Sequence, residues 1–563
     1  MNLINRSCRC LFVCLGLSLS SVALAQTGIP GNLLPGQLEK QFKAEPRARG
    51  QSGGVVPGLR EQVVPEGAEG VRFTVQDIQL EGVTVYPQEA MRASLAPYIG
   101  KEISLRELYG LANTLTARYR NDGYFLSQVV VPAQAIETGR VKLRAVEGYV
   151  SEVSYAPEPA ATKSSRIDAY ARKIAATRPL TSQALERYLL LINDLPGVHA
   201  RAILAPAKQA PGAAELILQV AEKRWSAGAS VDNRGGKTLA DWRLILDGEA
   251  ANWLGRHENT SLKYVGSPSK ALRYLALQHE EQIGGEGAKL HVSLSGARTE
   301  PEDRTFVPLN LETSSESFGL TYSYPLLRSR TENLYLRGSL NGHRGKENVF
   351  GITDRTDKLR PVRLGLTYDR TDAYRGTNLI DVEVSHGLSG LGASKNGDPL
   401  LTRAGGKVDF TKLNVFAARV QTLSEHWSLL AALSGQYAFD DLLASELYGF
   451  GGDLFGRGYD ASELVGDHGA ALKLELRNEG VLRRFSSPVA YRLYGYYDVG
   501  RVWQRSPQGG DSSDSAASAG LGVRFHFDRG LSLTFELAKP LTRDVAAEGD
   551  KSLRGFIGLS ARF

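Results

Sequence analysis

The chain has 563 residues, and its 67 Lys and Arg against 61 Asp and Glu leave a formal net charge of +6. Over that length the balance gives no basis for nucleic-acid binding. The only cysteines, Cys8, Cys10 and Cys14, lie in the first fourteen residues, so a thiol nucleophile or thiolate metal site further along is excluded.

The N-terminus reads MNLINRSCRCLFVCLGLSLSSVALAQ. Arg6 and Arg9 precede a short apolar run that ends near Leu19, followed by Ala23-Leu24-Ala25. This is the pattern of a secretory signal peptide, and the apolar run is too short to span a bilayer. The mature chain is expected to begin near Gln26, without cysteine. Next, GIPGNLLPGQLEKQFKAEP suits one short amphipathic helix from about Pro35 to Ala44, with Leu38 and Phe42 as its apolar anchors. Gly and Pro dominate Arg47 to Gly70, which reads as a linker. So short a helix cannot persist alone and must dock.

From Val71 the pattern is mixed α and β. VRFTVQDIQLEG alternates as a strand. Ser104 and Glu107 form a capping box opening a helix with Leu105, Leu108, Ala112, Leu115 and Tyr119 on one face. GYFLSQVVVP and GRVKLRAVEG read as strands, giving the order β-α-α-β-β. A second pass follows: VSEVSY, the helices SSRIDAYARKIAA and LTSQALERYLLLINDL, then the strands GVHARAILAP and AAELILQVAEK. The matching segments Gly123–Pro132 and Gly197–Pro206 are 74 residues apart, so two tandem modules are expected, at 71–147 and 148–222.

From residue 223 onward the helical period disappears. VRLGLTYD sets Val362, Leu364, Leu366 and Tyr368 against Arg363, Gly365, Thr367 and Asp369. KLHVSLS, GLSLTFELA and the last segment, GFIGLSARF, alternate likewise. A water-soluble sandwich and a transmembrane barrel both explain such alternation. Three features favour the barrel. Short turns such as FDRG alternate with long polar connections such as Gly342 to Arg360. The zone of about 340 residues accommodates about sixteen strands. The chain ends on an aromatic, Phe563, inside a strand. The fold class expected is thus mostly β: a C-terminal barrel at 223–563, two small α+β modules and an N-terminal helix.

No HExxH, GxSxG or Walker loop is present. Catalytic residues, metal ligands and cofactors are therefore not expected, and the inward Asp, Glu and Arg read as a hydrated lumen lining. Glycine flanks Arg457 in FGRGYD, Phe455 to Asp460, and its freedom at φ > 0 suits a tight tip carrying that side chain to a partner.

The order of segments resembles the outer-membrane transporters of two-partner secretion, the haemolysin secretion/activation family, over essentially the whole mature chain. The modules resemble polypeptide-transport-associated (POTRA) domains. SVDNRGGKTL, Ser230 to Leu239, resembles the first barrel strand and its exit loop. FGGDLFGRGYD resembles the signature loop, with Gly456 where an apolar Val or Ile is usual. YYDVG, Tyr496 to Gly500, resembles the barrel-wall motif. The resemblance implies a loop folded back into the barrel, with Arg457, Gly458 and Tyr459 meeting Asp498 and Gly500 of the wall. Arg457 and Asp498 should pair, screened by a wet lumen. It also implies a plug helix carrying Leu38 and Phe42, and Phe563 as the barrel's C-terminal signal. The partners implied are a large secreted exoprotein of haemolysin, adhesin or toxin type, the barrel-assembly machinery during biogenesis, and outer-membrane lipid. The location implied is the Gram-negative outer membrane, with the modules in the periplasm. The alternative is an outer-membrane protein assembly or insertion factor of the same superfamily.

Overall fold

The computed structural model describes residues 29–42, 45–49, 62–136, 138–156, 164–207, 211–483, 487–507 and 512–563. The expected signal peptide lies outside them.

Among the described residues the N-terminal helix covers Gln37–Phe42, after a 3-10 turn at Gly31–Leu33. It starts two residues later than the Pro35 expected, and the expected end at Ala44 lies outside the described residues. Gly36 at φ +83° reverses the chain just before it, and six residues make too few backbone bonds to persist without tertiary contacts.

The first module packs strands Asp77–Glu81, Arg140–Val146 and Gln128–Val130 into one sheet under helices Gln88–Leu95 and Leu105–Asn121. The capping box forms as expected: Ser104 Oγ accepts from Glu107 N at 3.2 Å, and Glu107 accepts from Ser104 N at 2.6 Å. Leu108, Ala112, Leu115 and Tyr119 are buried, as the periodicity requires. Two details differ from the sequence reading. VRFTVQDIQLEG is not one strand: Arg72–Thr74 pairs with Glu102–Ser104 in a separate ribbon, and Asp77–Glu81 joins the main sheet. Fully buried Val75, whose N–H bonds Lys101 O at 2.9 Å, sits at the break. In Gly123–Pro132 only Gln128–Val130 is strand. Leu126, with Phe125 beside it, packs into the second module's core instead, against Ile167, Leu180 and Leu195. Gly148 N donates to Ser127 Oγ at 3.1 Å, so the two modules share this elbow.

The second module follows the expected order, with helices Ser165–Ala176 and Ser182–Asn193 over strands Tyr149–Ala156, Ala213–Glu222 and Val198–Pro206. It is seated on the turns at one rim of the barrel. Tyr170 OH donates to Gln282 Oε1 at 3.0 Å, Arg187 pairs with Glu286 at 3.3 Å, and Arg328 makes a bidentate pair with Asp194.

From Trp225–Asp232 to Arg554–Arg562, antiparallel strands close into a barrel. Ile352–Leu359 and Pro361–Thr371 are two parts of one strand interrupted at Arg360, and both pair with Glu332–Val349. The barrel therefore has 16 strands. Alternation is realised with the apolar face outward. Leu364 and Leu366 are 61% and 41% exposed, whereas Asp369 is 2% exposed on the inner side. A sandwich core would reverse this; a lipid-facing wall requires it. Closure pairs the backbone polar groups that hydrocarbon cannot satisfy. The expected long connection at Gly342–Arg360 is instead a strand hairpin turning at Phe350 and Gly351. Both have positive φ, 55° and 78°, which matches the twist of a two-residue hairpin turn.

Candidate functional site

Between strands Trp427–Ala438 and His468–Leu482 the chain does not span outside the barrel but folds back into it. Two short strands, Tyr448–Phe450 and Leu464–Gly466, pair at the base of this loop. The tip is FGRGYD. Gly456 has φ +83°, and a Cβ there would lie 2.7 Å from the Phe450 ring. This explains the departure from an apolar residue: a β-branched side chain is strained at that φ, and Phe450 already fills the space. Gly458 serves a different purpose. Its φ is not positive, but a Cβ would meet Ser518 Cβ at 2.7 Å and Pro540 N at 3.2 Å on the wall. Gly500 is glycine for the same reason, since a Cβ would stand 2.2 Å from the Phe450 ring.

These glycines let the loop press its arginine onto strand Val489–Trp503. Arg457 Nε and Nη2 donate to Asp498 Oδ2 and Oδ1, both at 2.9 Å, and the Arg457 and Gly456 N–H groups add bonds to Oδ2 at 3.0 and 3.2 Å. This is the bidentate, charge-assisted geometry the guanidinium fork allows. The Arg457 guanidinium lies 3.4 Å from the Tyr496 ring centroid, and its Nη1 bonds Glu475. Tyr459, 2% exposed, donates from its hydroxyl to Ala517 O at 3.0 Å.

One expectation is corrected here. The pair is not in a wet lumen. Asp498 is 0% exposed and Arg457 and Glu475 3% each, because Phe450, Phe455 and Tyr459 roof the site. Solvent screening is therefore weak, and this is a buried ion triad. The sequence reading found Arg457 and Asp498 but missed Glu475. The signal was available: in ALKLELRN, Leu472, Leu474 and Leu476 face lipid, which turns Lys473, Glu475 and Arg477 inward, and Lys473 registers with Asp498.

The N-terminal helix occupies the interior beside the same loop. Leu33 and Leu38 are buried with Tyr274, and the Phe42 ring lies 4.9 Å from that of Tyr274. Gln37 Nε2 donates to Ala444 O at 2.6 Å, its Oε1 accepts from Ser462 Oγ at 3.3 Å, and Glu39 accepts from Ser315 and Ser317 at 2.8 and 2.7 Å. Phe563 lies at the rim that carries the second module, 73% exposed, its carbonyl accepting from Lys223 Nζ at 3.3 Å and its N–H donating to Ala227 O at 2.9 Å.

The comparisons with known proteins agree with this architecture. Residues 214–525, more than half the chain, match the profile of the family described as haemolysin secretion/activation protein ShlB/FhaC/HecB. Residues 73–148 match the POTRA domain of ShlB type. The chain is 24% identical over 493 residues to the heme/hemopexin transporter protein HuxB of Haemophilus influenzae, covering 85% of each chain. It is 23% identical over 470 residues to the hemolysin transporter protein HpmB of Proteus mirabilis, covering 80% of this chain and 79% of that one. The solved structure of CdiB from Escherichia coli superposes with a TM-score of 0.72 at 19% identity, covering 90% of this chain and 94% of that one. The relatives are secretion transporters, and the assembly-factor alternative is not favoured. The chain belongs to the haemolysin secretion/activation family of two-partner secretion transporters, in the bacterial outer membrane with its POTRA modules in the periplasm.

Proposed function

We propose that the protein secretes one large partner, of haemolysin, adhesin or toxin type, which reaches the POTRA modules unfolded. The division into modules at 71–147 and 148–222 and a barrel at 223–563 serves this route. Each module has strand edges open to an added strand: Asp77–Glu81 in the first, Tyr149–Ala156 and Val198–Pro206 in the second. An extended segment docks there through main-chain hydrogen bonds. It then passes through the barrel and folds outside, and binding and folding drive it without nucleotide hydrolysis. The barrel-assembly machinery inserts the barrel, with Phe563 as its recognition signal, and lipid covers the apolar wall.

The observation that carries this reading is the occupied interior. The helix Gln37–Phe42 is held by side-chain hydrogen bonds to backbone carbonyls and hydroxyls and by the packing of Leu38 and Phe42 around Tyr274, and the polar contacts are ones a passing chain can replace. The helix acts as the resting plug, and the Arg457–Asp498 pair positions the signature loop for transport. Deleting Gln37–Phe42 should raise the conductance of the purified protein in planar bilayers. Unchanged conductance would mean that this helix does not close the pore.

A further inference from the structure

The barrel closes where its last strand, Arg554–Arg562, meets its first, Trp225–Asp232. This seam is short. Five residue pairs are in register across it, against eight on either side. What lies beyond the paired stretch is the motif at Ser230–Leu239. Asn233 continues the ladder with its side chain: Ile557 N donates to Asn233 Oδ1 at 2.8 Å, and Asn233 Nδ2 donates to Gly555 O at 3.0 Å. A carboxamide carries one acceptor and two donors, so it stands in for the backbone of a missing strand residue.

Arg234 reaches further. Its guanidinium crosses the inner face of the last strand, 4.1 Å from the Phe556 ring centroid, and Nη2 bonds Glu536 Oε1 on the penultimate strand at 2.6 Å. Glu536 is also held by the hydroxyls of Tyr494 and Tyr496, at 2.6 and 3.0 Å. An arginine that only lined the lumen would need one neighbouring counter-ion; this one spans the closure.

The signature loop grips both sides of the same seam. On the first-strand side, Asp453 meets Arg234 Nη1 at 3.1 Å and Arg243 Nη2 at 3.6 Å, and Arg243 is bidentate to Asp232 at 2.8 and 3.1 Å. On the last-strand side, Arg554 donates to Asp460 Oδ1 at 2.6 Å and to Gly458 O at 3.1 Å. Gly236, at φ +81°, lies so close to the Asp460 carboxylate that a Cβ would be 2.9 Å away.

We propose that Asn233 and Arg234 form a clasp that holds the barrel shut at the outer end of its seam, and that signature-loop residues Asp453 and Asp460 hold the clasp in place. They are positioning residues for transport: the state of the loop sets how firmly the barrel is closed. The clasp is independent of which cargo passes and of how the plug leaves.

The test uses the full-length protein in planar bilayers. Arg234→Ala and Asn233→Ala should each increase current fluctuations several-fold and lower the temperature at which the folded, fast-migrating band is lost on gels. Ser230 and Ser560 are register partners across the seam. A Ser230→Cys/Ser560→Cys disulfide should return Arg234→Ala to the wild-type trace, and reductant should undo the rescue. Asp453→Asn should give an intermediate increase. If Arg234→Ala fails to assemble, Arg234→Lys replaces it, because an ammonium cannot hold Glu536 and Asp453 at once. A quiet trace from the Arg234 variant, or fluctuations that persist with the disulfide formed, overturns the clasp. Wild-type behaviour of Asp453→Asn overturns the loop's part in it.

Discussion

Arg328, on the barrel, and Asp194, at the end of the second module's last helix, form a bidentate pair with both N–O distances at 2.8 Å, and the guanidinium is fully buried. Arg328 Nη1 also donates to Asn333 Oδ1 at 2.9 Å. The POTRA tandem is therefore fixed to the barrel by a desolvated ion pair, not by a flexible tether alone.

Removing one partner strands the other charge, at a cost of ~3–5 kcal/mol. Asp194→Ala and Arg328→Ala should each loosen the second module from the barrel rim. Limited proteolysis of the purified protein should then cut within 164–222 while the barrel stays heat-modifiable. A digestion pattern identical to wild type would show that the neighbouring Glu286 pairs suffice.

The buried triad makes a second prediction. With Asp498 inaccessible to solvent, Arg457→Ala strands the Asp498 carboxylate, while Glu475 keeps its bond from Arg477 Nε at 2.7 Å. The expected cost is of the order of 3–5 kcal/mol in docking the loop, with loss of secretion. The wall should still assemble, because its ladder bonds run between the wall strands themselves, even though the undocked loop no longer braces the closure seam. Arg457→Lys should also fail, since an ammonium cannot reproduce the fork. Asp498→Ala and Arg457→Ala should not add in the double variant, because the residues share one interaction. Secreted cargo per unit of heat-modifiable barrel is the measurement; defects that multiply would sink the coupling.

Gly31 sits against the base of the signature loop. A Cβ there would lie 2.0 Å from Ser462 O and 2.7 Å from Val465 Cγ1. Neither backbone nor a packed valine can retreat that far, so Gly31→Val should expel the N-terminal segment without shortening it. Its bilayer conductance should match that of the Gln37–Phe42 deletion. Wild-type conductance from Gly31→Val would show that the loop yields instead.

The first module carries an acid-sensitive tie. Glu147 accepts from Thr84 N at 2.8 Å and from Tyr119 OH at 2.8 Å, and bonds the Thr84 hydroxyl. Burial pushes its carboxyl up, but the bonds from Thr84, Tyr119 and Val85 outweigh this and hold it below the usual carboxylate range. A lowered folded value means the stabilisation is complete above the unfolded value of about 4.3 and is lost as pH falls through the folded value. Glu147→Gln should therefore make the first module more protease-sensitive at pH 7, and the difference from wild type should shrink as the pH is lowered below 4. A difference that stays constant with pH would point to shape, not charge.

The sequence by itself determined much of the plan. A period of two that puts leucines opposite charges requires a sheet with one apolar face, and its length set the number of strands near sixteen. Ser104 and Glu107 fixed a helix start, because a capping box is local chemistry. Asp498 was legible as inward because side chains alternate along a strand, and the loop motif supplied Arg457. Tertiary structure decided what closure brings together. Whether the apolar face met a core or lipid depended on the barrel shutting. Glu475 became the third member of the Arg457 site only when its strand took register beside Asp498. Burial of that site depended on Phe450 and Tyr459 folding over it. Leu126 left its own module's strand for its neighbour's core, which no periodicity announces. Asp194 and Arg328 are 134 residues apart, and Arg234 and Glu536 302. Local pattern fixes the direction in which a side chain points; the partner it meets there is set by strand register, ring closure and docking, which are properties of the whole chain.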